Sequence, residues 1–571
     1  MQCFSVFNGI LSGHSCNKLM MNVILKQKIT YSNLPRITVP QKMVRNIDKK
    51  MQAKREREQE QKTRENYWKR GKKVLIVSKR KELNVYQGQR FHDMDEKSLI
   101  SHGWKHFKAK GDHFTLQNLG RIPALRNFGE KSFQDLGLRT DLVETLKGTG
   151  IESPVCVQCE AIPTILKKDN ILCTAETGSG KTLAYLLPII QSILESNSEE
   201  ESNAKPVKQP HCLILLPTKE LVIQVESVVQ QFAKTLSLNV KVFCQGRPVK
   251  SDGNAIDILI ATPGACLKSV KYGGYSLARA KHIVLDEADT LLDDSFHPYI
   301  SALLKESQIQ GSSSETPSNF GTQMILVGAT KPRDLEGILG DIIPLDSLTK
   351  VNAPFLHKLP PHIPQKFLRI GPDDRPGAIL TTVTKNAKSN IPTIVFCNKS
   401  STAHWMGHFF EDSGTSHVLL TGAMPNKIRD GRFEQFQNGE TNLLVTTDIA
   451  SRGLDTIRAQ HVINYEFPTF MSDYIHRVGR LGRLGSKCTG FVLNYITYRF
   501  DVELVWQIEI AARKAAGLHN VNANIKRKLV TKAVNSGSEP MLDFNGLDED
   551  DEDDSEIPPY NTHDIDRSVT S

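Results

Sequence analysis

The segment Ala175-Glu176-Thr177-Gly178-Ser179-Gly180-Lys181-Thr182 limits what this chain can fold into more than any other stretch of it. It follows the β-rich run Ile171–Cys173 and precedes the helical pattern Leu183–Leu194. Glycines let successive backbone N–H groups close around phosphate oxygens, and the helix N-terminus behind them adds positive potential. Lys181 is placed to reach β- and γ-phosphates, and the Thr182 hydroxyl suits Mg²⁺. A Gly-rich surface turn would need neither the strand before it nor the helix after it. The segment therefore implies a nucleotide site on a parallel α/β sheet, with ATP and Mg²⁺ as the expected ligands.

The rest of the chain repeats that strand–helix texture. From about Phe133, short apolar runs alternate with amphipathic stretches; the runs include Cys212–Leu216, His282–Leu285 and Met324–Val327. A Pro-rich stretch near Pro354–Pro364 interrupts the pattern. A second block then follows, with Thr393–Phe396, Leu443–Thr446, His461–Asn464 and Gly490–Asn494 as strands. Such alternation predicts βαβ units and parallel sheets. Two α/β domains are expected, at 131–350 and 367–517, joined by a linker at 351–366. The flanks read differently, as a charged N-terminal extension at 48–130 and a disordered tail at 518–571, acidic near Asp548–Glu556.

Composition bears on partners and compartment. The 571 residues are 39% hydrophobic, enough for sizeable cores, and no apolar run is long enough to span a membrane. The formal net charge of +9 includes the acidic tail, so the remainder is more basic and favours a polyanion. Ten scattered cysteines, with only Cys156 and Cys159 as a CxxC, suggest free thiols. Residues 1–47 contain no Asp or Glu, which resembles a mitochondrial transit segment. The mitochondrial matrix is thus the expected location. The basic cluster Lys69–Lys73 leaves a nuclear or nucleolar pool open.

Two further clusters carry chemistry. Asp286-Glu287-Ala288-Asp289 closes the strand His282–Leu285. A carboxylate at the carboxyl end of a parallel strand stands beside a phosphate loop. Asp286 is expected to hold Mg²⁺, and Glu287 to orient and deprotonate the attacking water. In the second block, His476-Arg477-Val478-Gly479-Arg480-Leu481-Gly482-Arg483 sets three arginines at spacing three. They suit a nucleic-acid patch, a salt-bridged helix face, or arginine fingers delivered across a cleft between domains.

Taken in order, these motifs resemble the DEAD-box RNA helicase family over roughly Phe133 to Lys514. Gly150–Gln158 is similar to the family's Q motif, with Phe133 at its upstream aromatic position. Gln158 can pair with adenine and Phe133 can stack on it. The resemblance implies two tandem RecA-like domains and the following roles. Pro217, Thr218, Lys219, Thr262, Pro263, Gly264, Arg429 and Thr447 would touch RNA. Gly453 and Asp455 would join the ATP site, and Arg480 and Arg483 would be the fingers. Asp289, Gly328, Ala329, Thr330 and His476 would couple the domains.

Several positions depart from the family pattern. Gly328 replaces Ser and removes a hydroxyl next to Asp289, Lys219 replaces Arg, and Ala265 stands where Arg is usual. Gln245-Gly246, Asn426, Ile151 and Val155 also differ. Several of these touch RNA contacts, so unwinding strength is expected to be affected more than ATP hydrolysis. The expected activity is RNA-stimulated ATP hydrolysis with local strand separation. An ATP-gated RNA clamp or assembly scaffold is the alternative. A monomer is expected, acting on RNA, with ribosomal RNA and mitochondrial ribosome assembly particles as the implied partners.

Overall fold

The structure is a computed structural model. It describes residues 52, 73–87, 89, 99–117, 131–199, 207–246, 255–292, 296–307, 309, 321–332, 335, 339–340, 342–343, 345–353, 356–429, 431–448, 456–483, 490–518 and 521. The acid-free start at 1–47, the cluster Lys69–Lys72 and the acidic tail lie outside these residues.

The chain begins with three strands, β1 (Val74–Ser78), β2 (Val85–Tyr86) and β3 (His113–Leu116). Helices α1 (Thr140–Gly148) and α2 (Cys156–Leu166) then lead into β4 (Ile171–Thr174) and α3 (Lys181–Glu199). Next come β5 (Cys212–Leu215), α4 (Lys219–Leu236), β6 (Val240–Phe243), β7 (Ile258–Ala261) and α5 (Pro263–Gly273). The domain finishes with β8 (His282–Asp286), α6 (Ala288–Leu291), α7 (His297–Lys305), β9 (Gln323–Gly328) and β10 (Thr349–Asn352). β4 to β10 form one parallel sheet in the order β10-β4-β9-β8-β5-β7-β6. Its central strands are buried throughout, as a sheet covered on both faces requires. α4 shows why the covering helices form. Its apolar positions Leu221, Val222, Val225, Val229, Phe232 and Ala233 recur at helical spacing and are buried, and the Thr218 hydroxyl caps its start.

The second domain runs through β11 (Gln365–Arg369), α8 (Arg375–Lys388), β12 (Thr393–Phe396), α9 (Ser400–Asp412), β13 (Val418–Leu420), α10 (Asn426–Arg429) and α11 (Arg432–Gln437). It continues through β14 (Leu443–Thr446), β15 (His461–Asn464), α12 (Met471–Val478), β16 (Phe491–Ile496) and α13 (Arg499–Lys514). Among the described residues its sheet has nine strands in the order β13-β14-β12-β15-β16-β11-β3-β1-β2. β13 to β11 are parallel, whereas β3 joins β11 antiparallel and β1 and β2 follow antiparallel. Both domains are RecA-like parallel-sheet units; the alternation predicted the parallel sheets, and the family resemblance implied the RecA-like form.

The extension expected at 48–130 needs correction. Its described residues within 73–87 and 99–117 are an integral part of the second domain. β3 alternates buried and half-buried residues, and Phe114 stacks on Phe367 with ring centroids 4.8 Å apart. Trp104 is fully buried and donates to Asp112 Oδ2 at 3.0 Å. The buried Glu509 of α13 accepts from Ile100 N, Ser101 N and Ser101 Oγ and pairs with Arg513. Dense surface charge hid an apolar stretch that needs the second sheet to cover it. The linker also shortens, since β10 ends at Asn352 and β11 begins at Gln365. The chain thus crosses between the domains twice, once after β3 and once after β10.

Candidate functional site

The loop Ala175–Thr182 leaves the C-terminal end of β4, and Ala175 N donates to Gly328 O at the end of β9. Asp286 ends β8, the next strand over. The parallel register therefore brings phosphate loop, acidic pair and Gly328 to one sheet edge. Above them a cavity of about 470 Å³ opens between the domains. Gln158, Thr177, Gly178, Gly180, Lys181, Thr182, Asp286 and Glu287 line it from the first domain, and Arg480 and Arg483 from the second.

Electrostatics suit a polyphosphate with a cation. Lys181 Nζ donates to the carbonyls of Ala175 and Glu176 at 2.7 and 3.0 Å. Burial and then the neighbouring Glu287 charge push the Asp286 carboxyl up to about 7, against the opposing pull of Lys181 and Tyr185. A divalent cation facing Asp286 would relieve that cost. Thr182 and Asp286 offer the hard oxygens that Mg²⁺ prefers. Glu287 sits in a left-handed conformation (φ 56°) at the turn into α6. Its Oε2 is buried and accepts no hydrogen bond, and the residue lines the cavity. Tyr185 was missed in the sequence. It lies three residues after Thr182 on α3 and donates to Asp286 Oδ2 at 3.0 Å.

The expected coupling residues converge. Asp289 Oδ2 accepts from Thr330 N and Oγ1 at 2.8 and 2.6 Å and faces His476 Nε2 at 3.3 Å. Burial would raise the Asp289 carboxyl, but facing His476 and the Thr330 bonds hold it well below the usual range. Asp289 Oδ1 is buried without a hydrogen bond, and a Cβ at Gly328 would stand 3.5 Å from it. The hydroxyl missing from position 328 is therefore missing where an acceptor waits. Thr177 Oγ1 donates across the cleft to Gly479 O at 3.1 Å. Ala329 is buried.

Other sequence expectations shift. Phe133 is 1% exposed in the first domain's core and is not among the residues lining the cavity. Its ring packs among the apolar residues of that core. Gln158 does line the cavity, with its amide bonded to Val155 N and Gly180 O. Of the three arginines, Arg477 is structural. It is fully buried and paired through Nε and Nη2 with Asp448 at 2.7 Å. α12 ends at Val478, so Arg480 and Arg483 extend from the turn after it. Ser179 is buried in the loop. Burial, with Glu160 and Cys159 beside it, pushes the Cys156 thiol up to about 11, and Cys156 and Cys159 are both free thiols.

The residues expected to touch RNA collect at the ends of β5, β7 and β14. Pro217, Lys219, Pro263 and Thr447 are buried, Thr218 and Thr262 are half-buried, and Gly264 is exposed. Arg429 has a protein partner that the sequence did not reveal. Its guanidinium makes a bidentate pair at 2.5 Å with Glu220, across the domains, because the two nearly buried charges face each other there. Gly453 and Asp455 lie outside the described residues.

Comparison with known proteins places this geometry. Residues 156–338 match the DEAD/DEAH box helicase family and residues 376–485 the helicase conserved C-terminal domain. Over 483 residues the chain is 38% identical to "Probable ATP-dependent RNA helicase DDX28" of Mus musculus, covering 81% of this chain and 88% of that one. It is 31% identical to "DEAD-box ATP-dependent RNA helicase 39" of Arabidopsis thaliana, covering 70% and 64%. In fold it is similar to S. cerevisiae Dbp5 bound to RNA and ADP BeF3 (TM-score 0.56, 22% identity, 67% of this chain and 94% of that chain). It is also similar to Mss116p bound to ssRNA and AMP-PNP (TM-score 0.58, 20% identity, 76% and 91%). The chain belongs to the DEAD-box family of ATP-dependent RNA helicases, enzymes that hydrolyse ATP.

Proposed function

We propose that ATP and single-stranded RNA hold the two domains shut and that the ATP site works only in that state. The cavity lined from both domains carries this reading, because Lys181 and Glu287 come from one side and Arg480 and Arg483 from the other. Lys181 and the loop amides bind the phosphate chain. Thr182 and Asp286 would hold Mg²⁺, which supplies charge neutralisation on the phosphates when bound. Glu287 orients the attacking water and takes its proton at the carboxylate. Arg480 and Arg483 neutralise charge that develops on the transferring phosphoryl group. Thr218, Lys219, Thr262–Gly264 and Thr447 contact the RNA backbone, so binding is tolerant of sequence and sensitive to salt.

Removing a positioned general base costs about 10²–10⁴-fold in rate. Glu287→Gln should therefore lower RNA-stimulated ATP turnover by at least about 100-fold. Equal turnover in the two proteins would sink this mechanism. A clamp with little unwinding is a second reading, favoured by the unbonded Asp289 Oδ1 beside Gly328. Robust ATP-dependent release of a short duplex strand would remove it. The acid-free residues 1–47 support a mitochondrial location, and ribosomal RNA of the large mitochondrial subunit is the substrate we infer. RNA crosslinked to the protein in cells and sequenced should peak there.

A further inference from the structure

Helix α5 turns one face to solvent. Gly264, Lys268, Lys271 and Tyr272 are exposed along it, at the spacing that puts them on one side of a helix. Pro263 and Cys266 are buried on the other side. Tyr299, in the first turn of α7, stands next to the start of this stripe. A Cβ at position 264 would lie 3.8 Å from its ring. Tyr299 is 43% exposed and Tyr272 is 82% exposed, so neither ring is there to fill a core.

We propose that this face is a second section of the RNA path, with Tyr299 stacking on a base beside Gly264 and Lys268, Lys271 and Tyr272 carrying the strand along the outside of α5. The proposal rests on the reading above that Thr262–Gly264 meet RNA. Three observations favour RNA as the occupant. The stripe is continuous with that contact. Its charged members on α5 are both cations. Aromatic rings interleaved with lysines are the pattern that binds a single strand without sequence preference, through stacking and phosphate neutralisation. The substitution at Ala265 fits too, since the guanidinium that would otherwise stand beside Gly264 is absent and a ring occupies the neighbourhood instead. From Gly264 to Tyr272 the helix rises about 12 Å, enough to seat strand beyond the first stacked base.

The test uses the full chain with a non-hydrolysable ATP analogue and two uridine oligomers. One is just long enough to saturate ATP turnover and the other is twice that length. Tyr299→Ala should weaken binding of both about tenfold, the scale of one base–aromatic stack, and Tyr299→Phe should restore it. Lys268→Gln with Lys271→Gln should weaken only the longer oligomer and flatten its log–log salt slope by about 1.4. ATP turnover without RNA and the melting temperature should not change. As a measurement that needs no variant, photo-crosslinking of thiouridine RNA to the wild-type protein should label the peptide that carries Tyr299 or Tyr272. Unchanged affinity in Tyr299→Ala, or labelling that avoids both peptides while RNA stimulates the wild-type protein, would overturn the proposal and leave this face to a protein partner. A wild-type protein that RNA neither binds nor stimulates would overturn the functional reading itself and this inference with it.

Discussion

Glycine decides how closely the two domains can meet. At Gly479 an added Cβ would lie 1.8 Å from Thr177 Oγ1, and at Gly178 it would lie 2.8 Å from Arg483 Cγ. Both contacts cross the cleft, and neither leaves room for a methyl group. Gly482 adopts φ 62°, and a Cβ there would meet the His362 imidazole at 2.2 Å. The turn that carries Arg480 and Arg483 is therefore packed at backbone distance against the phosphate loop and the linker. A displacement of about 1 Å can cost 100-fold when a reacting group is misplaced. Gly479→Ala should accordingly lower RNA-stimulated turnover by about 100-fold, because the fingers stop short of the phosphates. The melting temperature should hold, since the clash arises only on closure. Turnover within a few-fold of wild type would show that the arginines do not need this close approach.

Among the elements, β1 to β3 are the ones to weigh. They close the second sheet on the β11 side, and Phe114 sits between Trp104 and Phe367 at 5.6 and 4.8 Å. Truncating a buried Phe to Ala costs about 3–5 kcal/mol. Phe114→Ala should therefore lower the stability of the second domain by about 3 kcal/mol in urea unfolding, with the first domain's transition unmoved. Loss of less than about 1 kcal/mol would mean the strands are appended rather than integral. This is also where the sequence was least legible. The phosphate loop, the acidic pair and the parallel strands could be read, because each has a local pattern tied to its chemistry. The run Val74–Val77 is just as apolar, but charge flanks it closely and its partner strand lies far along the chain, so no local signal assigned it a sheet. The burial of Phe133 was illegible for the opposite reason. Its position in the motif was visible, whereas the direction of its ring is set by packing. The ion pair of Arg429 was not legible because its partner, Glu220, belongs to the other domain.

Across the whole molecule, closure is distributed over several contacts. Glu220–Arg429, Thr177–Gly479, Asp289–His476 and His362–Gly482 each join the domains or brace their junction. The first is a carboxylate–guanidinium pair, with both side chains 12% exposed. Taking one charge from such a pair leaves the other poorly solvated. Couplings between sites typically amount to 5–150-fold in affinity, so Glu220→Gln should weaken joint binding of RNA and ATP analogue by about tenfold. Each ligand measured alone should change less. Equal losses for the single ligands and the pair would place Glu220 in a binding role and not in closure. No helix among the described residues is long and apolar enough to cross a membrane.

The double crossing of the chain sets an order in time. β3 is made early, yet the strand it pairs with comes only after the first domain has been synthesised. At ~5–20 residues per second, the roughly 250 residues between Leu116 and Gln365 take about 12–50 s to emerge. Through that interval Trp104 and Phe114 have no sheet to cover them, while the first domain can already collapse. The second domain must then recover its earliest strands from the far side of a finished neighbour. Its birth is therefore slow, and a holding chaperone has a defined stretch of chain to guard.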